Sequence, residues 1–444
     1  MPRSRTARLI GMALLMVAAP ALAADALKVT PPKLEVREHK LANGLDLLMY
    51  EDHSVPVATV QLWYHVGSKD EKKGRSGFAH LFEHLMFKGS AHVGPEEHKN
   101  FIASIGGRYN ATTDFDLNVS EENFKSERDV VKEERRLRVD NPPFGRLFEV
   151  VLEKTFTTHP YKIEPIGSMA DLDAATIQDV RDFHSLYYVP NNATLVVAGD
   201  LDPEAVIRWT ERYFGPIPKG RPIPRDIPKE PAQTAGRRAV DYHPNTPLPA
   251  VVITCHIPQA GSPDTYALQV ASNILSAGES SRLYKRMVYE KQMAVAAGGD
   301  AILLEDPGVF FFFAILQGGQ KPEDGEKELL AEADRLRNEP VAEEELVKAK
   351  NQIISGLVFG RQTGQDKADA IGYAKVILND ESYVNRQLAE FQKVTAADVQ
   401  RVARTYFTPE NRTVVYMLPE AMRPKTEGKP EGKPGAGQSE VKNP

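Results

Sequence analysis

Two histidines four residues apart, His80 and His84, with Glu83 between them, constrain this chain more than any other feature. At 3.6 residues per turn, positions i and i+4 share one face of a helix, so both imidazoles and the carboxylate meet in a small volume. The surrounding segment, Ser76-Gly77-Phe78-Ala79-His80-Leu81-Phe82-Glu83-His84-Leu85-Met86-Phe87, is apolar almost all the way round. That pattern predicts a buried helix. Three ionisable groups near the centre of a buried helix need compensation, because unpaired buried charge is costly. A bound divalent metal supplies it. The alternative is two core histidines bonded to backbone carbonyls, with Glu83 paired to a lysine. Clusters of this kind concentrate at functional sites.

The chain has 444 residues, enough for two or three domains, and a formal charge of −6 without a basic arm or stripe. Nucleic acid is therefore not an expected partner. Arg3, Arg5 and Arg8 precede a short apolar run, Leu9 to Ala19, and a small-x-small site at Ala21-Leu22-Ala23. This reads as a signal peptide over residues 1–23, with export to a periplasm or beyond. No later stretch reads as a membrane span; Pro307 to Leu316 reads as a buried strand. The one cysteine, Cys255, falls inside a strand pattern and reads as a core residue, so no disulfide forms within the chain.

Residues 24–35 form an extension, and 36–214 a first domain. In it Val36 to Tyr50 reads as a hairpin around Asn43-Gly44, a type I′ turn signal. Val57 to Val66 is a further strand. Ser76 is placed to cap the histidine helix. A helix from Gly94 to about Ile105, a strand from Arg108 to Leu117 and a helix from Glu121 to about Val139 follow. Helices at Gly145 to Phe156 and Asp173 to Leu186, a strand at Asn192 to Ala198 and a helix at Pro203 to Phe214 complete this half. Residues 215–237, rich in Pro, Lys and Arg, read as a linker. The second half, 238–419, echoes the first. Strands are expected at Ala250–Ile257, Gly308–Leu316 and Arg412–Leu418. Helices are expected at Asp264–Ser276, Ser280–Glu290, Pro322–Asn338, Ala342–Gly360, Asp366–Leu378 and Ala396–Tyr406. The tail, 420–444, has a disordered composition.

A catalytic zinc takes three protein ligands and keeps one position open. The helix from Glu121 to Val139 is the nearby source of a third. At about 100° per residue, Phe124, Val130, Val131 and Leu137 share an apolar face, Glu127 and Glu134 fall near its centre, and Glu133 falls off it. One of Glu127 and Glu134 as a ligand and the other supporting it would satisfy both carboxylates. Arg138 lies one turn beyond Glu134, so an ion pair between those two is the competing reading.

H-x-x-E-H inverts the H-E-x-x-H arrangement of other metallopeptidases. With its flanks the chain resembles the pitrilysin/insulinase-type zinc peptidases, in particular short two-domain members related to mitochondrial processing peptidase. The likeness rests on Gly77 to Gly89, Gly106-Gly107-Arg108-Tyr109-Asn110-Ala111-Thr112-Thr113 and Arg128 to Arg135. It extends through His159-Pro160-Tyr161, Pro190-Asn191-Asn192-Ala193 and Ser280-Ser281-Arg282-Leu283-Tyr284. The resemblance implies an α+β fold of two homologous α/β-roll domains, each an antiparallel-rich sheet packed with helices. It implies Zn2+ held by His80, His84 and Glu134, Glu83 as general base and Glu127 in support. The strand at Asn110 and Ala111 would pair with an extended peptide substrate; an ordinary sheet edge is the alternative. The implied function is endopeptidase cleavage of unfolded peptides.

Two departures stand out. The stretch between the histidines and the Glu134 helix is shorter than in relatives, so some strand and one helix should be missing from the first domain. Relatives also supply an Arg and a Tyr from a second-half segment, L-R-E-x-x-G-x-x-Y. Here Val288 and Val295 occupy those positions. The clamp is then expected from a homologous subunit carrying the Arg and Tyr, with a homodimer as the alternative assembly. The rivals to the peptidase are a scaffold subunit of the same fold and a peptide binder that does not cleave.

Overall fold

The computed structural model describes residues 30, 32–85, 93–94, 97–108 and 121–424, and the side chains of 121 and 122 lie outside the description. The stretches read above as a signal peptide, as a tail of disordered composition beyond 424, as the end of the histidine helix and as a strand through Asn110 and Ala111 therefore fall outside the described residues.

Two sheets organise the chain. The first contains β1 (Val36–Lys40), β2 (Asp46–Glu51), β3 (Ala58–Tyr64) and β4 (Ala193–Gly199) in the order β1-β2-β4-β3. Its one parallel pair is β2 with β4, Leu48 opposite Val196; the others are antiparallel. The second contains β5 (Arg237–His243), β6 (Ala250–His256), β7 (Ala294–Ile302), β8 (Val309–Leu316) and β9 (Arg412–Pro419) in the order β5-β9-β6-β8-β7. Here too one pair, β5 with β9, is parallel and the rest antiparallel. The helices are α1 (Phe78–Leu85), α2 (Glu97–Ser104), α3 (Glu121–Arg135), α4 (Leu147–Thr155), α5 (Met169–Ala174), α6 (Ile177–Tyr187) and α7 (Pro203–Phe214) in the first half. In the second they are α8 (Asp264–Ser276), α9 (Pro322–Asn338), α10 (Glu343–Phe359), α11 (Gly364–Val376), α12 (Tyr383–Lys393) and α13 (Ala396–Tyr406).

The halves repeat one plan down to single bonds. Thr176 caps α6 and Thr395 caps α13, each in a reciprocal box with an aspartate three residues on. After each helix an asparagine ties its end to a distant strand. Asn192 Nδ2 donates to the carbonyls of Tyr187 and His65, and Asn411 Nδ2 to those of Tyr406 and His256. Among the described residues the first sheet has no counterpart of the β7–β8 hairpin, and the first half has none of α9.

Each sheet is also covered by a helix from the other half. Val150 and Val151 of α4 pack against Ala250, Val252, Val415 and Met417 of the second sheet. Ala368 and Ile371 of α11 belong to one core with Leu48, Val196 and Ala198 of the first sheet. There Gly372 lies so close to Trp63 that a Cβ would stand 2.3 Å from the indole. At the opposite seam Glu305 accepts from His65 and Lys69, and Lys69 also pairs with Asp306.

Several expectations need correction. The hairpin exists, but its turn is not type I′: only Gly44 has positive φ, at 99°. Asn43 is buried with its amide donating to the carbonyls of Phe214 and Ile217. The expected helix Asp173–Leu186 is broken at Ala175-Thr176, because Thr176 starts a new helix as its cap. Residues 215–236 carry no regular structure yet are pinned to both halves. Arg225 bonds Asp70, the His65 carbonyl and Asn192, while Gln233 reaches the Arg412 carbonyl. Strands β5 and β7 and helix α12 were not expected. β5 has an alternating, half-exposed pattern, and β7 is rich in Ala and Gly.

Candidate metal centre

Helix α1 carries His80, Glu83 and His84, as the spacing predicts. Its other face is buried through Phe78, Leu81, Phe82 and Leu85. Phe82 stacks at 5.1 Å on Tyr188 and lies 5.2 Å from Phe183 of α6. This packing turns the two imidazoles toward α3. Ser76 does not cap α1: its hydroxyl bonds Asp171 and accepts from the Ser168 amide. The Glu71 carboxylate takes the capping role, accepting from the amides of Gly77 at 3.0 Å and Ala79 at 2.8 Å. No spacing in the sequence marks Glu71, since it reaches the helix across a loop.

Helix α3 runs beside α1 and ends in a widened turn, Arg136–Asp140, closed by an i→i+5 bond from the Asn141 amide to the Arg136 carbonyl. Its buried stripe is Phe124, Glu127, Val131 and Arg135. Val130 and Leu137 are exposed, so the apolar face lies to one side of the line through all four apolar residues. Glu127 and Glu134 remain on the inner side.

The acceptors converge. Glu134 Oε2 lies 3.1 Å from His84 Nε2 and 3.5 Å from His80 Nε2. The ligand atoms of His80, His84 and Glu134 lie within 4.8 Å of one another. Glu127 Oε2 stands 3.6 Å from His84 Nδ1, behind the ring. Arg138 does pair with Glu134, at 2.7 Å, but through Oε1, which leaves Oε2 for the histidines. The two readings of Glu134 are thus compatible in one geometry.

Burial pushes His80 down from its ordinary value, which favours a neutral ring. The Glu127 hydrogen bond pushes His84 up. Burial pushes Glu83 above its ordinary value. Two imidazole nitrogens and one carboxylate oxygen, all acceptors, face one point. This N2O set suits zinc and would fit a fourth, open position. Asn110 and Ala111 lie outside the described residues. In the second half Arg282 forms two hydrogen bonds to Glu345, and Arg286 pairs with Glu328, so both are engaged within that half. Val288 is packed on the core and Val295 is half exposed.

An inverted histidine pair, a carboxylate on a neighbouring helix and two repeated sheet–helix halves define a class of metallopeptidase. The chain belongs to the M16, or insulinase, peptidase family. The family's insulinase model matches residues 47–119, and the model of its inactive domain matches residues 174–353. The zinc protease PqqE of Helicobacter pylori is 31% identical over 408 residues, covering 85% of this chain and 92% of that protein. The crystal structure of a protease from Helicobacter pylori superposes with a TM-score of 0.83 at 31% identity, over 87% of this chain and 100% of that one. The first half of the periplasmic protease PqqL from Escherichia coli shares the fold, with a TM-score of 0.66 at 18% identity over 88% and 93% of the two chains. Zinc is the metal of this family, as the name of the PqqE relative states. No helix among the described residues is long and apolar enough to cross a membrane.

Proposed function

We propose that this protein is a zinc-dependent endopeptidase of exported, unfolded peptides, with His80, His84 and Glu134 as metal ligands. The convergence of three acceptor atoms within 4.8 Å, with Glu83 on the same helix, carries the reading. Zinc held there supplies Lewis-acid polarisation of the scissile carbonyl and lowers the pKa of water. Glu83 takes the proton from the attacking water and passes it to the leaving amine. Glu127 holds the His84 ring so that Nε2 faces the metal. A purely structural metal site has no use for Glu83, which favours an enzyme over a scaffold.

The location is proposed to be periplasmic, in keeping with residues 1–23 and with PqqL. We propose domains at 36–214 and 238–419, joined by the strap 215–237. The partner is proposed to be a homologous subunit that supplies the Arg and Tyr missing at Val288 and Val295, with a homodimer as the alternative assembly. Full-length PqqL supports a paired arrangement: this chain covers 52% of it.

The test is hydrolysis of an unstructured peptide by the mature chain, alone and with a homologous subunit, with and without chelator. Glu83→Gln should keep its zinc and lose about 10²–10⁴-fold in turnover. Undiminished cleavage by that variant refutes the mechanism. Bound zinc without cleavage in any combination supports the scaffold instead.

A further inference from the structure

The ligands come from two helices, and what fixes the distance between those helices is a separate question. We infer that Arg135 is a positioning residue for the metal centre, acting through a brace from α3 to the first turn of α1. The inference rests on the assignment of Glu134 as a ligand.

Arg135 follows Glu134 in the chain, yet its side chain points away from the histidines into the protein, where only 5% of the residue is exposed. One guanidinium nitrogen donates to the carbonyl of Gly167 at 2.5 Å, and the other to Glu149 Oε1 at 2.7 Å. Asp140 lies 3.4 Å from the latter nitrogen. Gly167 in turn rests on Gly77, the residue before α1. A Cβ on Gly167 would stand 2.5 Å from the Gly77 Cα and amide nitrogen, and one on Gly77 would stand 2.7 Å from the Ile166 carbonyl oxygen. Both glycines have positive φ, 74° and 88°, which other residues rarely adopt. Backbone therefore touches backbone, with no side chain between to absorb movement. The Glu71 carboxylate holds the Gly77 and Ala79 amides from the other side.

The path thus runs from Glu134 to its neighbour Arg135, to the Gly167 carbonyl, to Gly77 and into the helix bearing His80 and His84. A buried guanidinium that engages a carbonyl and a carboxylate at once is a two-point tie. Lysine offers a single ammonium and cannot reproduce its fork. Glu149 belongs to α4, the helix that covers the second sheet, so the brace also fixes α3 to the seam between the halves. Metal binding tolerates little error in ligand placement; loss of a group bonded directly to a ligand costs about 10–100-fold in affinity, and the lower end of that range is the expectation for a brace that acts one step further out.

The experiment measures zinc affinity by competition with a chromogenic chelator, and the visible spectrum of the cobalt-substituted protein. The set comprises the wild-type chain, Glu134→Gln, Arg135→Lys, Arg135→Met, and Val402→Ala as a control for lost stability. Val402 is fully buried in α13 of the second half, remote from the brace. Both Arg135 variants should bind zinc at least tenfold more weakly, with an altered cobalt spectrum, while Val402→Ala lowers thermal stability and leaves both unchanged. If Arg135→Met does not fold, Arg135→Lys decides, because it keeps the buried charge. Arg135 variants that are less stable but bind zinc within twofold of wild type would overturn the brace while leaving the site intact. Equal zinc binding by wild type and Glu134→Gln would overturn the ligand assignment, and the brace with it.

Discussion

Truncating Glu127 tests the centre where the structure is most specific. Its side chain is 6% exposed and its Oε2 stands 3.6 Å from His84 Nδ1. Glu127→Gln keeps the shape and an acceptor oxygen but loses the charge; Glu127→Ala loses the acceptor and leaves His84 free to turn. Removing a partner of this kind typically costs 10–100-fold in metal affinity. At 1.36 kcal/mol per decade that is about 1.4–2.7 kcal/mol. Gln should fall near the lower end, since a neutral acceptor still orients the ring, and Ala near the upper. Zinc dissociation constants from chelator competition, with thermal unfolding of the apo chains as a control, measure the order wild type, Gln, Ala. Two variants that bind zinc within twofold of wild type would refute the idea that Glu127 orients His84.

Other consequences are independent of that carboxylate. Gly372→Ala places a Cβ 2.3 Å from Trp63 and should destabilise the docked halves by about 1–3 kcal/mol. That outweighs the roughly 1 kcal/mol gained in helix propensity, so calorimetry should show a lower Tm. Burial pushes Glu305 up, but hydrogen bonds from His65 and Lys69 outweigh it and hold the carboxyl at about 2. Because that lies below the ordinary 4.5, its contribution is complete above pH 4.5 and lost as pH falls toward 2. The stability gap between wild type and Glu305→Gln should therefore close as pH falls from 4.5 toward 2. Zinc at one hundred times its dissociation constant should stabilise the apo chain by about 2.7 kcal/mol, and Glu134→Gln should show no such gain.

The centre was legible because its signals are local or periodic. A four-residue interval places His80 and His84 on one face whatever surrounds the helix. Glu127 and Glu134, seven residues apart, must share a side. The exact buried face of α3 was not legible, because Val130 and Leu137 are apolar residues left exposed, and tertiary packing chose the adjoining stripe. Long, periodic helices such as α9 and α10 were readable to within a residue or so. Strand β7 was missed because Ala and Gly carry little strand preference. Its identity comes from pairing with β8. The cap of α1 was misassigned because Ser76 sits in the right place in sequence, while Glu71 arrives through space. Arg135 falls on the face of Phe124 and Val131 by the same count of 100° per residue, but a basic residue beside acidic ones on a helix reads as surface, and only the fold shows it turned inward.

The crossing of α4 and α11 has a consequence for how this chain is made. As the first half leaves the ribosome, α4 has no sheet to lie on and the face of the first sheet meant for α11 is bare. Both stay so until the last third of the chain has been synthesised. Neither half is then a self-sufficient folding unit, and the two should melt in one step. Severing the strap at 215–237 should give fragments that rejoin rather than two free domains. A chain of this architecture would need its bare faces shielded from aggregation until both halves had closed.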